Sequence, residues 1–174
     1  AATQAITLIL DPNTTYYLRL WTRDQGLNWS ALSNGATALT LPAVPGLPAG
    51  KPITDVQATS FTANWSSGSA ASGYNPDGTR YVAEISTSSD FSPLTASSDT
   101  AALSVPFSGL AEGALHYARV KAVGYGGASS DYAFLGSNDL IAPSSPTAVS
   151  AQAGGAGGSA TVRFTIPGDD GQSG

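Results

Sequence analysis

His116 is the one histidine in this 174-residue chain and the first place to look for acid–base or nucleophilic chemistry. It stands in Leu115-His116-Tyr117-Ala118-Arg119-Val120, where alternation puts it on the same side as Ala118 and Val120. A catalytic imidazole needs a nucleophile and an orienting carboxylate converging on it. No serine or carboxylate is identifiable as either, so His116 reads as a satisfied inward core residue. Paired carboxylates are the next candidates, as an acid and a base or as ligands to a hard cation. Asp169-Asp170 and the turn Asn75-Pro76-Asp77-Gly78 supply them, but neither has the regular acidic spacing of a calcium loop, and Gly and Asp are what tight turns demand. The run Gly154-Gly155-Ala156-Gly157-Gly158 lacks the lysine and following helix of a phosphate loop and reads as a hairpin loop. With no cysteine, a disulfide, a thiolate metal site and a cysteine nucleophile are all excluded. No residue is singled out as catalytic, cofactor-binding or metal-ligating, and no cofactor is expected.

What remains is contact chemistry. Tyr17, Arg19 and Trp21 alternate on one side of a strand pattern, and Tyr117, Arg119 and Lys121 form a matching stripe later in the chain. Aromatic residues interleaved with arginine can anchor a partner, and they can equally cover a neighbouring strand. Three glycosylation sequons occur, at Asn13, Asn28 and Asn64, in a chain rich enough in Ser and Thr to produce such matches by composition.

These side chains must be positioned by something, and the composition bounds what. Apolar residues make up 41% of the chain, enough for a real core. Charged residues are only 11%, against about 25% in ordinary soluble domains, so the surface is polar but weakly ionic. A net charge of −5 with two lysines, Lys51 and Lys121, argues against nucleic acid or an anionic membrane as partner, since both need clustered cations. No run of about 18 apolar residues is present to span a bilayer. The chain lacks methionine even at its first position, so it is expected to be a processed or interior piece, and a missing leader does not count against secretion.

The organising feature is a repeat. Leu10-Asp11-Pro12-Asn13-Thr14-Thr15-Tyr16-Tyr17-Leu18-Arg19-Leu20 returns in weaker form from Leu110 to Val120, and 110 − 10 = 100 residues. Each copy is a turn opening into an alternating strand, with Tyr16, Leu18 and Leu20 on one face. A second landmark agrees. The strand Ser60–Trp65, with Phe61, Ala63 and Trp65 inward, recurs as Ala160–Ile166 with Phe164 in place of Trp65, and 164 − 65 = 99. Further strands are expected at 3–10, from Thr14 to about Arg23, at 36–41, 53–58, 79–86, 103–107 and 132–135, with a looser segment near Leu94. Pro106 marks its strand as an edge or an early-ending one. The stretch from Pro42 to Pro48 is expected to be a stiff, extended linker, and Pro143-Ser144-Ser145-Pro146 a second one.

The corner motif, the inward Trp65 and the Trp-Ser-x-x-Ser-Asn loop at Trp29–Asn34 resemble those of fibronectin type III domains. The wording Thr-Tyr-Tyr-x-Arg and Pro-Gly-Asp-Asp-Gly is similar to bacterial members of that family. The resemblance spans the chain and implies an all-β fold of immunoglobulin-like sandwiches in tandem. Residues 1–41 would be the C-terminal part of one domain, 42–48 a Pro-rich linker, 49–142 a complete domain, and 143–174 the N-terminal part of a further one. In the family a corner tyrosine ties the turn to nearby backbone. Tyr16 keeps it, whereas the central copy has His116 in that place.

The function implied is a non-enzymatic structural segment of an extracellular or cell-surface fibre, filament or spacer array. Its partners would be copies of itself, by self-association, or the neighbouring identical repeats into which the chain continues, in a linear homopolymer, without nucleic acid and without membrane insertion. The alternative is an adhesin segment or a carbohydrate-binding accessory module of a secreted enzyme.

Overall fold

In a computed structural model, residues 5–140, 147–154 and 157–165 are described. Residues 5–10 form no strand although they alternate, and Ile6, Leu8 and Ile9 stand out in solvent. This corrects the strand expected at 3–10. Alternation prescribes a face, but a strand also needs a neighbour to take its N–H and C=O groups, and residues 5–10 pair with none. The first hairpin follows, with β1 (Thr15–Leu18) antiparallel to β2 (Ala36–Leu39). Beyond Leu18 the expected strand persists only as an irregular ladder carried by serine hydroxyls. Leu20 N donates to Ser33 Oγ at 2.9 Å and Thr22 N to Ser30 Oγ at 3.0 Å, where a regular strand would offer carbonyls.

A sandwich comes next. Its strands are β3 (Ile53–Gln57), β4 (Ser60–Asn64), the two-residue arms β5 (Gly68–Ser69) and β6 (Gly73–Tyr74), β7 (Arg80–Ser86), β8 (Ala96–Thr100), β9 (Ser104–Ser108), β10 (Leu115–Val123) and β11 (Ala133–Asp139). A three-stranded sheet in the order β3-β4-β9 faces a four-stranded sheet in the order β11-β10-β7-β8, every pairing antiparallel. This is the immunoglobulin-like arrangement of fibronectin type III domains, and the fold is all-β. Pro106 sits in β9 at the sheet edge, where its missing N–H breaks no ladder. Last comes a hairpin of β12 (Thr147–Ala153) and β13 (Ala160–Thr165), closed by the tight loop in which Gly154 N donates to Ser159 O at 2.9 Å.

The core follows from the alternation. Phe61, Ala63 and Trp65 on one sheet meet Tyr81, Ala83, Ile85, Ala118, Val120 and Ala122 on the other, and Trp65 is 3% exposed. The large rings fill the gap at tilted angles, Phe61 to Phe107 and Trp65 to Tyr81 each at 5.9 Å between centroids. The inward alanines of β10 leave the room that Trp65 occupies.

The two corner regions share local hydrogen bonds. Asn13 N donates to Leu41 O at 3.0 Å, as Gly113 N does to Leu140 O at 2.6 Å. Ser30 Oγ bonds Ala31 O at 2.9 Å, and Ser130 Oγ bonds Asp131 O at 2.8 Å. In both copies the serine N–H also closes a ladder rung, Ser30 to Thr22 O and Ser130 to Ala122 O, each at 2.9 Å.

Candidate functional site

Two places in the molecule concentrate side-chain chemistry: the outer face of the four-stranded sheet, and the end of the sandwich that meets the first hairpin. On the outer face, β10 presents Tyr117, Arg119 and Lys121 on the side opposite the core. The Arg119 guanidinium sends Nε and Nη2 to Oε2 of Glu84 on β7, at 2.8 and 2.7 Å. The Tyr132 hydroxyl donates to the other oxygen, Oε1, at 3.0 Å. The guanidinium also lies between two rings, 3.9 Å from the Tyr132 centroid and 4.1 Å from Phe91. Glu84 is 8% exposed, so this is a desolvated charge pair whose hydrogen bonds are supplied. Both carboxylate oxygens are taken, one by arginine and one by a phenol, and the cluster works as a pillar. The solvent-facing parts are Phe134, 57% exposed and stacked at 6.5 Å on Tyr117, and Lys121, 5.0 Å above Tyr132.

The first hairpin carries a looser version. Trp21 and Trp29 approach to 6.2 Å and Arg23 lies 5.4 Å above Trp29, all exposed. Its turn is held by Asp24, whose carboxylate accepts from the backbone and side-chain amides of Asn28, which keep it below the ordinary carboxylate range.

His116 is fully buried, as its alternation requires, and packs 6.5 Å from Phe61. Nδ1 donates to Ala114 O at 2.8 Å, since a carbonyl can only accept, and Nε2 has no hydrogen-bond partner among the described residues. The bond reaches two residues back. In the first corner the Tyr16 hydroxyl accepts from Asp11 N at 2.9 Å, five residues back, so the shorter imidazole anchors a smaller loop. No nucleophile or carboxylate bonds His116. Among the described residues no group of three or more His, Asp or Glu is placed to hold a metal ion. Asp169 and Asp170 lie outside the described residues.

At the other place, asparagines do the joining. Asn13, in the left-handed region at φ 48°, is fully buried between the first corner and the sandwich. Its Nδ2 donates to Thr79 Oγ1 at 2.9 Å and its Oδ1 accepts from Tyr125 N at 2.8 Å. Asn75 binds the stretch after the first hairpin as a strand would, accepting from Ala43 N at 2.8 Å and donating to Ala43 O at 2.9 Å. Gly46 and Ser66 exchange backbone bonds of 3.2 and 2.9 Å, so the proline-rich stretch lies docked against the sandwich. The Asn13 amide is buried and bonded at both its nitrogen and its oxygen, and the Asn64 amide donates at 3.0 Å to Thr54 Oγ1, whereas Asn28 is exposed.

The alternation placed the outward Tyr117, Arg119 and Lys121 and the inward His116, but not the partners Glu84, Phe91 and Tyr132, nor the junction asparagines Asn13 and Asn75. A lone outward carboxylate among apolar residues of β7 was the one available signal for Glu84.

No family model and no curated protein matches the chain. Among solved structures, it is similar to domains d3-d4 of the rat CD45 extracellular region, at 16% identity over 76% of this chain and 67% of that one, with a TM-score of 0.47. The sixth fibronectin type III domain from human fibronectin type III domain containing protein 3 matches at 19% identity, over 64% of this chain and 96% of that one, with a TM-score of 0.46. The chicken CNTN1 FN1-FN3 domains match at 18% identity over 82% of this chain and 50% of that one, with a TM-score of 0.42.

Proposed function

We propose that the chain is a non-catalytic repeat segment of an extracellular or cell-surface fibre, filament or spacer array. The observation that carries this reading is the pair of terminal hairpins, each with an uncovered apolar face. Leu18 and Leu20 project from the first at 38% and 68% exposure, and Val162 and Phe164 from the last at 58% and 54%. In the sandwich the corresponding strands, β10 and β4, cover each other. The partner is therefore a neighbouring repeat of the same kind, and a heterologous contact of this sort builds an open-ended line rather than a closed ring. Sedimentation velocity over a concentration series tests it. The expected result is a ladder of species growing with concentration, abolished by Leu20→Asp. A closed dimer, or a single monomer at every concentration, contradicts it.

The second reading, an adhesin or carbohydrate-binding module, is favoured by one feature, the exposed Trp21, Trp29 and Phe134 rings. Retention on insoluble polysaccharides that is lost in a Trp21→Ala, Trp29→Ala double variant would select it.

A further inference from the structure

The buried Asn13 sits in a site that only one side chain satisfies. Thr79 Oγ1 has already given its hydrogen to Pro76 O, at 2.7 Å, so toward Asn13 it can only accept. The Tyr125 N–H can only donate. The residue between them must present one donor and one acceptor about an amide's width apart, and must tolerate a left-handed backbone, which asparagine does more readily than most residues. Aspartate at neutral pH offers two acceptors and would face the Thr79 lone pairs.

The surroundings are cut to admit it. A Cβ on Gly124 would approach Asn13 Oδ1 to 3.0 Å and Pro42 Cδ to 3.1 Å, and one on Gly73 would approach Pro12 Cδ to 3.1 Å. At the corresponding turn 100 residues later, Gly113 keeps the left-handed backbone, φ 69°, but has no amide to offer.

We propose that Thr79, Gly124 and Tyr125 form an asparagine-specific socket on the end of the sandwich, and that Asn13 in it locks the preceding hairpin to the sandwich in one orientation. The Asn13-Thr14-Thr15 sequon gains a meaning from this, because a glycan on that amide and the docked junction exclude each other.

The chain has no cysteine, so spin labels placed through Thr37→Cys on β2 and Ser97→Cys on β8 report the distance between the two bodies without background. One narrow distance peak is expected for the otherwise unaltered chain. Asn13→Gly keeps the backbone angle and removes the amide, and Thr79→Val removes the acceptor. Each should lose the narrow peak while the melting of the sandwich, followed by the burial of Trp65, is retained. Asn13→Asp should be broad at neutral pH and narrow again below about pH 3, where a protonated carboxyl regains a donor. A peak that stays narrow in Asn13→Gly and Thr79→Val overturns the proposal, as does a broad distribution in the parent chain. Failure of Asn13→Asp to narrow in acid overturns the donor–acceptor assignment.

Discussion

The strand after the first corner and the strand after the second are near copies with opposite fates. On β10 the inward residues Ala118, Val120 and Ala122 are at most 1% exposed, while on the first copy Leu18 and Leu20 are 38% and 68% exposed. The two share their alternation and the serine hydroxyl that accepts at the end of each ladder. The difference lies in what stands opposite. Alternation specifies that a face is to be covered, and only a second sheet covers it.

That contrast can be broken most sharply with a pair of core substitutions. Trp65→Ala should lower unfolding free energy by about 3–5 kcal/mol, because the ring fills the space between two sheets. Phe164→Ala, at the matching position of the last hairpin, should cost less than about 1 kcal/mol in the isolated monomer, since its half-exposed ring leaves no cavity. Equal losses in chemical denaturation would mean the hairpin is as well covered as the sandwich.

The outer faces give the next largest effect. Glu84→Ala strands the Arg119 guanidinium between its two rings and should cost about 1.5–3 kcal/mol by the same assay. Arg19 has no such carboxylate partner among the described residues, so Arg19→Ala should be close to neutral.

Alkali distinguishes the copies again. Burial pushes the Tyr81 phenol above its ordinary value of 10.0, so the folded chain holds that proton more tightly than the unfolded one. The contribution is complete below 10.0 and is lost as pH rises through the folded value. Stability should therefore fall as pH rises above the ordinary tyrosine value of 10.0, and Tyr81→Phe should flatten that fall. An unchanged slope in Tyr81→Phe would assign it to other groups.

Smallest is the corner itself. Tyr16→Phe frees Asp11 N–H and should speed its hydrogen exchange by about five-fold, near 1 kcal/mol, leaving sandwich amides unaffected.

Much of this was legible in the chain. Phe61, Ala63, Trp65 and His116 were readable as inward because period-two alternation is a local property, and the repeat fixed which strands correspond. The strand expected at 3–10 failed because pairing is not local. Glu84 and Tyr132 meet Arg119 only after three strands are laid side by side, and Asn13 reaches Tyr125 across 112 residues of chain. The junction was hidden for the further reason that its proline-rich stretch reads as a spacer by composition, while Asn75 gives it a partner that composition does not announce.

We propose that the two terminal hairpins complete one another between neighbouring repeats. Two variants of the cysteine-free protein, Leu20→Cys and Val162→Cys, test it when mixed under mild oxidation and compared with each alone. The account requires a mixed disulfide dimer that forms faster than either homodimer and is suppressed by Phe164→Asp in the second variant. Equal, slow crosslinking in all three samples would contradict it.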